Sequence, residues 1–205
     1  MAILFISVLI YFSWPLVAPV KISPPFQQQY VVPTTILKTG GYPDTAKGVL
    51  EEYLRIDAEG GYLSNEGLEY LKTLSPANSS MRFHMLNTMI VQGYSVRYLK
   101  NEPELVVAEV VYDQIGELKH LDWFLPTRID YNRTKKKQLI KLVSKDGRWV
   151  VSSKLLYAYI SVPTALKYVE MATELAKTNK TAPRFIVEGA GELISQLEML
   201  QKNSP

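Results

Sequence analysis

The sequence predicts an α+β domain in which a curved antiparallel sheet wraps around an N-terminal amphipathic helix, with a helical extension at the C-terminus. Three observations predict this class. Apolar residues recur at helical spacing over residues 46–57, alternate with period two between about residues 88 and 160, and return to helical spacing after residue 163. Helices that precede and follow a run of strands, instead of alternating with them, are typical of α+β proteins.

Residues 1–18 contain no charged side chain and are mostly large and apolar. The run from Ala2 to Trp14 has the length of the apolar part of a signal peptide, about 7–15 residues, and is short for a membrane span of about 20. No Lys or Arg precedes it, and Pro19 follows the small residue Ala18 at the cleavage position. We predict a signal peptide or an uncleaved N-terminal membrane anchor. Either one implies a protein that is exported across, or anchored in, a membrane. The alternative is a hydrophobic strand or helix buried in the fold.

Residues 19–42 are rich in Pro and Gln. Because Pro lacks a backbone donor and fixes φ, this stretch favours extended chain over helix. We predict a tether here, with an edge strand around Tyr30–Val32. The α+β domain is then expected at residues 43–160, and the helical extension at residues 161–205.

Composition excludes several classes of function. The chain has 23 basic and 20 acidic side chains, and its net charge of +3 is too small to indicate a nucleic-acid surface. It has no cysteine, which excludes disulfides, thiolate metal sites and a cysteine nucleophile. His84 and His120 lack a second ligand at metal-binding spacing. We therefore predict no metal, no cofactor and no nucleic-acid partner. The basic run Lys135–Lys137 is predicted to form a solvated hairpin turn, with a phosphate or lipid contact as the alternative.

Two helices open the domain. Asp44 is placed to cap the first, whose apolar face runs over residues 46–57 and ends in an acidic residue. Gly60–Gly61 is expected to end it. Ser64 is the predicted N-cap of the second helix, and Pro76 is expected to stop it.

Five strands are predicted to follow. Asp146–Gly147 is a two-residue turn of the kind that joins antiparallel strands. Two further helices begin at Pro163 and Pro183. The predicted strands are Thr88–Tyr98, Leu105–Gln114, Trp123–Tyr131, Leu139–Lys145 and Arg148–Ile160.

Two segments carry a resemblance to a known superfamily. Residues 44–54, DTAKGVLEEYL, resemble the opening helix of the superfamily that includes nuclear transport factor and ketosteroid isomerase. Residues 145–151, KDGRWVV, are similar to the paired final strands of its exported members of unknown function. The resemblance covers about residues 43–160. It implies a cone-shaped domain with a pocket between helix and sheet, in a superfamily of enzymes, small-molecule binders and association domains.

Such a pocket would take its lining from the first helix and the strands. A carboxylate held in an apolar cone has a raised pKa and can act as a general base, which draws attention to Asp57 and Glu109. The alternative is that each carboxylate lies at the end of an element or pairs with a Lys or Arg. The Asp, Tyr and protonated Asp of ketosteroid isomerase chemistry cannot be placed here, so no catalytic residue is predicted. The candidate pocket-lining residues are Tyr53, Asp57, His84, Tyr94, Glu109 and Trp123.

Tyrosines are frequent on the predicted strands, where they form either cross-strand packing or a concave binding surface. The last helix carries a short heptad seam, which either docks on its own domain or binds a partner, including a second copy in a homodimer. The candidate partner-binding residues are Ile186, Leu193, Leu197 and Leu200.

The predicted function is an exported or membrane-tethered, non-catalytic domain that binds a small apolar ligand or a protein partner. One alternative is an isomerase-like or dehydratase-like enzyme that uses a buried carboxylate. The other is a structural subunit of an envelope assembly.

Overall fold

The computed structural model describes residues 42–78, 87–120, 126–153, 158–178 and 184–202. The predicted signal peptide or anchor, and all of the predicted tether except Tyr42, lie outside these residues. Within the described ranges, none of the helices has both the length and the apolar character needed to cross a membrane.

The described residues form helices and strands in the predicted order, and the predicted α+β class is confirmed. Short 3-10 turns, Gly61–Leu63 and Pro76–Asn78, flank the second helix. The helices are α1 (Ala46–Ala58), α2 (Asn65–Leu74), α3 (Val162–Thr178) and α4 (Arg184–Lys202). The strands are β1 (Asn87–Asn101), β2 (Leu105–His120), β3 (Pro126–Lys145), β4 (Arg148–Val151) and β5 (Tyr159–Ser161).

The strands form one sheet in the order β4-β3-β2-β1-β5. β1 to β4 pair antiparallel, whereas β5 pairs parallel with β1, with Met89 opposite Tyr159. The sheet is therefore mixed, and the prediction of a wholly antiparallel sheet was wrong. The reason is that the strand predicted over residues 148–160 is two strands, β4 at one edge of the sheet and β5 at the other.

β3 also differs from the prediction. The predicted turn at Lys135–Lys137 lies in the middle of a single 20-residue strand. Asp113 of β2 is opposite Lys135, and the Lys135 Nζ atom lies 3.8 Å from Asp113 Oδ1. A run of lysines is compatible with a strand because long side chains cover the sheet with their stems and keep their charges in water. The prediction of a turn was therefore wrong, whereas the turn at Asp146–Gly147 is confirmed by positive φ angles at both residues.

The sheet is curved into a half-barrel. Helix α1 contacts β4 and β5, the strands at opposite edges, as well as β3. In a flat sheet the outermost of five strands would lie about 19 Å apart, too far for one helix of about 10 Å diameter to touch both. The buried residues of α1 are Ala46, Val49, Leu50, Tyr53, Leu54, Ile56 and Asp57.

Side-chain caps fix the starts of α1 and α2. The predicted cap of α2 is confirmed, because the Gly67 backbone N–H donates to Ser64 Oγ at 3.0 Å. The predicted cap of α1 was wrong by one residue. Thr45, and not Asp44, caps α1, with the Gly48 N–H donating to Thr45 Oγ1 at 3.0 Å. Asp44 lies one residue too early, because the capping side chain belongs to the residue just before the first helical one.

The two C-terminal helices pack on the same sheet. Helix α3 contacts β1 and β5, and α4 contacts both α3 and β3. Tyr168 and Val169 of α3 are buried. The helical extension therefore contributes to the same packed unit as the sheet.

We expect Thr45→Ala to lower the free energy of unfolding by about 1 kcal/mol, because it leaves a backbone N–H of the first turn of α1 without its acceptor. Asp44→Ala is the matched control and should change stability by much less. Urea unfolding of the full chain followed by circular dichroism measures both. Equal losses for the two variants would contradict the observed cap.

Candidate functional site

Asp57 is the most deeply buried carboxylate of the described residues. It ends the apolar face of α1, is 2% exposed, and accepts a hydrogen bond from the Tyr159 backbone N–H. Burial raises the pKa of Asp57 well above its usual value, and the hydrogen bond from Tyr159 only partly opposes that rise. The interior of the curved sheet therefore favours the neutral form of this carboxyl group.

Tyrosines surround Asp57. Burial raises the pKa of the Tyr53, Tyr112 and Tyr159 hydroxyls, and the nearby Asp57 raises each of them further. Burial and Asp57 also raise the pKa of the Tyr62 hydroxyl, whereas its contact with Thr88 lowers that pKa. The Tyr159 hydroxyl donates to the Leu54 carbonyl of α1, which ties β5 to the helix. The Asp57 carboxyl group is thus enclosed by the chain's own aromatic side chains.

Three rings connect this interior to the surface. The Tyr112 and Tyr159 centroids lie 4.7 Å apart, and Tyr94 lies 6.5 Å from Tyr112 and 6.1 Å from Tyr159. These distances are typical of favourable aromatic pairs. Tyr94 is 39% exposed, whereas Tyr112 and Tyr159 are buried. Tyr94 is therefore the solvent-facing end of an aromatic cluster that reaches Asp57.

Glu109 lies away from this cluster. Neighbouring residues of a strand point to opposite faces, and Ala108 and Val110 are buried on the inner face. Glu109 therefore points to the outer face, where its Oε1 atom lies 2.9 Å from Arg97 Nη2. The structure brings Tyr53, Asp57 and Tyr94 together and separates Glu109 from them. The other two candidate pocket residues, His84 and Trp123, lie outside the described residues.

An open groove of about 330 Å³ lies where α1 begins, at the end of the sheet that holds the β1–β2 and β3–β4 turns. Tyr98 and Trp149 are its aromatic walls, and the first residues of α1 form its other side. Tyr94 and Tyr98 lie four residues apart in a regular part of β1 and therefore on one face, and Tyr94 contacts the inner rings of Tyr112 and Tyr159. Burial raises the pKa of both Tyr94 and Tyr98, and the Glu51 carboxylate of α1 raises it further. The groove is lined by Asp44, Thr45, Ala46, Lys47, Tyr98, Asn101, Val106 and Trp149.

Tyr42 holds the two sides of the groove together. Its hydroxyl lies 2.5 Å from the Trp149 carbonyl and 3.4 Å from the Thr73 carbonyl. The Arg148 guanidinium lies 5.6 Å from the centre of the Tyr42 ring, at cation–π distance. The segment that leads into α1 is thereby attached to β4 and α2. Of the candidate pocket-lining residues that the structure describes, none lines this groove. Tyr98, Asn101, Val106, Trp149 and the start of α1 were not predicted as lining residues, and the local signals for them were a strand tyrosine and a Trp after the Asp146–Gly147 turn.

The candidate partner-binding residues of α4 lie mostly inside the chain. Leu193 and Leu197 are buried at 5% and 0% exposure, and Leu200 is half-buried. Ile186 lies in α4, but its side chain is outside what the structure describes. A water-sized cavity of about 20 Å³ lies between α4, α3 and the start of β3, with Val169 and Leu193 in its lining. These contacts place the apolar face of α4 against its own domain.

Within the described part of the chain, no three His, Asp or Glu side chains lie close enough to hold a metal ion. Comparison with known proteins finds no matching family, no similar curated protein and no similar solved structure. The chemistry of the site therefore has to be argued from its own residues.

Asp57 should make stability depend on pH. The folded state keeps the proton of Asp57 at pH values where the unfolded chain, with an ordinary Asp pKa near 4, loses it. Below about pH 4, the ionisation of Asp57 does not change the free energy of unfolding. Above that pH it lowers the free energy of unfolding by up to about 1.4 kcal/mol per pH unit, until the folded-state pKa is reached.

Asp57→Asn removes this ionisation, so its free energy of unfolding minus that of the wild type should rise as the pH increases from 4 to 7. Urea unfolding at several pH values measures the difference. Asp113→Asn, at an exposed carboxylate of β2, controls for a general effect of removing one charge. A difference that is constant with pH would show that Asp57 ionises equally in both states.

Proposed function

We propose that this chain is a non-catalytic binding domain and that the groove between the start of α1 and Tyr98 is its ligand site. The groove itself is the observation that carries the proposal. Its volume of about 330 Å³ lies at the lower end of the range of small-molecule sites, about 300–1,000 Å³. Tyr98 and Trp149 offer two aromatic surfaces, and Asn101 and Lys47 offer polar groups at the rim. This combination suits a small, largely apolar ligand with one polar end.

The filled interior supports a site at the surface. Tyr53 and Asp57, which the sequence analysis placed in the lining of an internal pocket, are 1% and 2% exposed. Their neighbours Tyr112 and Tyr159 are equally buried. A ligand in the interior would have to displace these side chains, whereas the groove is already open. In this proposal the Asp57 cluster supports the walls of the site and does not contact the ligand.

The chain is proposed to belong to the superfamily that includes nuclear transport factor and ketosteroid isomerase. Two features support it: a sheet curved around α1, and an antiparallel hairpin, β3–β4, that ends in a Trp-containing strand. The parallel strand β5 and the packed helices α3 and α4 are features of this chain beyond the segments that carry the resemblance.

The second candidate function is proton transfer by Asp57. One observation favours it, namely that burial raises the pKa of a carboxyl group that lies among tyrosines. Catalysis by this group requires a substrate to reach a side chain that is 2% exposed. The binding proposal needs no such opening of the interior and is therefore preferred.

The protein is proposed to be exported across a membrane or anchored in one. This proposal depends on the uncharged apolar run at residues 1–18. Alkaline carbonate extraction of membranes from cells that express the full chain separates a tethered protein from a released one. Recovery of the full-length, uncleaved chain in the cytosolic fraction would contradict both export and membrane anchoring.

The groove can be tested with 8-anilinonaphthalene-1-sulfonate, an amphipathic aromatic probe whose fluorescence rises at apolar sites. Tyr98→Ser should raise its Kd about tenfold, because one aromatic contact contributes about 1 kcal/mol or slightly more. Tyr131→Ser is the matched control, since Tyr131 is also an exposed strand tyrosine but does not line the groove.

Asp57→Asn tests in the same titration whether Asp57 contacts the ligand. The binding proposal expects its Kd to equal that of the wild type, provided that circular dichroism shows an unchanged fold. If Tyr98→Ser and Tyr131→Ser bind the probe as tightly as the wild type, the groove is not the site.

A further inference from the structure

Within the described residues, one edge of β1 has no pairing strand over most of its length. β2 pairs with one side of β1 from Asn87 to Asn101. On the other side, β5 pairs only with Met89, Ile90 and Val91. In the parts of the chain that the structure describes, no strand pairs with residues 92–101 on that side. An edge of this length presents backbone donors and acceptors that can pair with another strand.

The two edges of the sheet differ in their protection. β4 pairs with β3 only from Leu142 to Lys145, so the preceding part of β3 also lies at an edge. That part of β3 contains Arg128, Arg133 and Lys135–Lys137. Arg128 and Lys135 pair with Asp130 and Asp113, but basic side chains still predominate on this strand, and such side chains are a common means of preventing edge-to-edge pairing. The charges on β3 therefore discourage another strand from adding there.

β1 has the opposite character. Among the described residues, six large apolar side chains are exposed. Three of them, Tyr94, Tyr98 and Leu99, lie in a single stretch of six residues on this edge. The edge contains two basic residues, and both are neutralised within the chain. Arg97 pairs with Glu109 at 2.9 Å, and Lys100 pairs with Glu102 at 2.9 Å. The edge of β1 thus combines backbone groups that no described strand pairs with, apolar side chains and little net charge.

We propose that this edge binds the same edge of a second copy of the chain, with the two β1 strands antiparallel about a two-fold axis at Val96. Two-fold symmetry requires antiparallel strands, and directly opposite residues must point to the same face. Register shifts between Val91 and Gly93 and between Tyr98 and Lys100 leave a regular stretch at residues 93–98, which contains Val96. The axis must therefore pass close to this residue.

The side chains favour Val96 as the centre. With the axis there, Val96 lies opposite Val96, and Tyr94 lies opposite Tyr98 of the second copy. Aromatic and β-branched pairs of this kind stabilise antiparallel strands. Arg97 then lies opposite Ser95 of the second copy. An axis at Arg97 would instead place two guanidinium groups opposite each other, which is unfavourable. The sequence of this edge is therefore complementary to itself in one register.

This pairing would also affect the groove. Tyr98 is a wall of the groove, and Tyr94 of the second copy would lie beside it on the same face of a sheet that continues through both copies. The ligand site would then have Tyr94 of the second copy beside its own Tyr98 and Trp149. This consequence depends on the proposed function, whereas the pairing of the edges does not. A contact of about six residues per copy is small, so we expect a reversible dimer.

Cysteine cross-linking tests the register directly, because the native chain has no cysteine. In Val96→Cys, the two thiols would lie opposite each other, with Cα atoms about 4.5–5.5 Å apart, a separation that a disulfide can span. Oxidised glutathione is the oxidant. It accepts two electrons and two protons from the thiol pair and leaves as two molecules of reduced glutathione.

We expect Val96→Cys to form a disulfide-linked dimer, measured by non-reducing electrophoresis of the full chain in non-ionic detergent. Leu139→Cys is the matched control, because Leu139 is an exposed apolar residue of β3. The yield of disulfide-linked dimer from Leu139→Cys measures the background that arises from random collision and from two chains sharing a micelle. If Val96→Cys links no faster than Leu139→Cys, the proposal is overturned.

A second pair of variants tests association without oxidation. Val96→Lys places two ammonium groups opposite each other at the axis and should weaken self-association about tenfold or more, whereas Leu139→Lys should not. Sedimentation velocity over a wide range of protein concentration measures both, with circular dichroism to verify the fold. A wild-type chain that stays monomeric throughout that range overturns the proposal. These measurements use no ligand, so their failure is distinguishable from failure of the groove.

Discussion

Helix α1 contacts β4 at one edge of the sheet and β5 at the other, and the rest of the structure depends on this contact. One helix can touch both edges only if the sheet curves around it. The curvature turns the inner face of β2 towards α1, so that Ala108, Val110 and Tyr112 become part of one core. Burial of the apolar face of α1 is therefore what distinguishes the inner side of the sheet from its outer side.

The same packing determines where space for the proposed ligand is found. The large side chains described around Asp57 are buried, and a carboxyl group enclosed there is more stable in its neutral form. Space remains at the end of the sheet, where α1 begins and the inner face opens to solvent. Tyr42 keeps this end in place by joining the start of α1 to β4 and α2. The groove is thus a consequence of a filled interior and a firmly attached entry segment.

A sheet that curves without closing has two edges, and each presents unpaired backbone groups. β3 carries a run of lysines along its edge, with stems that cover the sheet and charges that repel a similar strand. β1 carries tyrosines and a valine at its edge, and its arginine is paired with Glu109 on the outer face. This asymmetry suits the edge of β1, and not that of β3, to the proposed partner. It also gives Glu109 a structural role far from the interior.

Features that depend on near neighbours were determined by the sequence itself. The α+β class, the buried face of α1 with Asp57 at its end, the Ser64 cap and the Asp146–Gly147 turn follow from helical periodicity and from local hydrogen bonding and backbone conformation. Each needs only residues within a few positions of one another. A one-residue error at Thr45 marks the limit of such reasoning, because Asp44 and Thr45 are both good caps.

Only the tertiary structure decided the rest, because it depends on contacts between distant residues. The stretch from residue 148 to 160 divides between opposite edges of the sheet, since its last residues pair with β1. Lys135–Lys137 is strand because β2 supplies a partner along its whole length. Glu109 and Asp57 are both carboxylates near apolar residues, but strand pairing sends one outward and helix packing encloses the other. The contact between Tyr42 and Trp149, a wall of the groove, joins residues 107 positions apart, which no local pattern encodes.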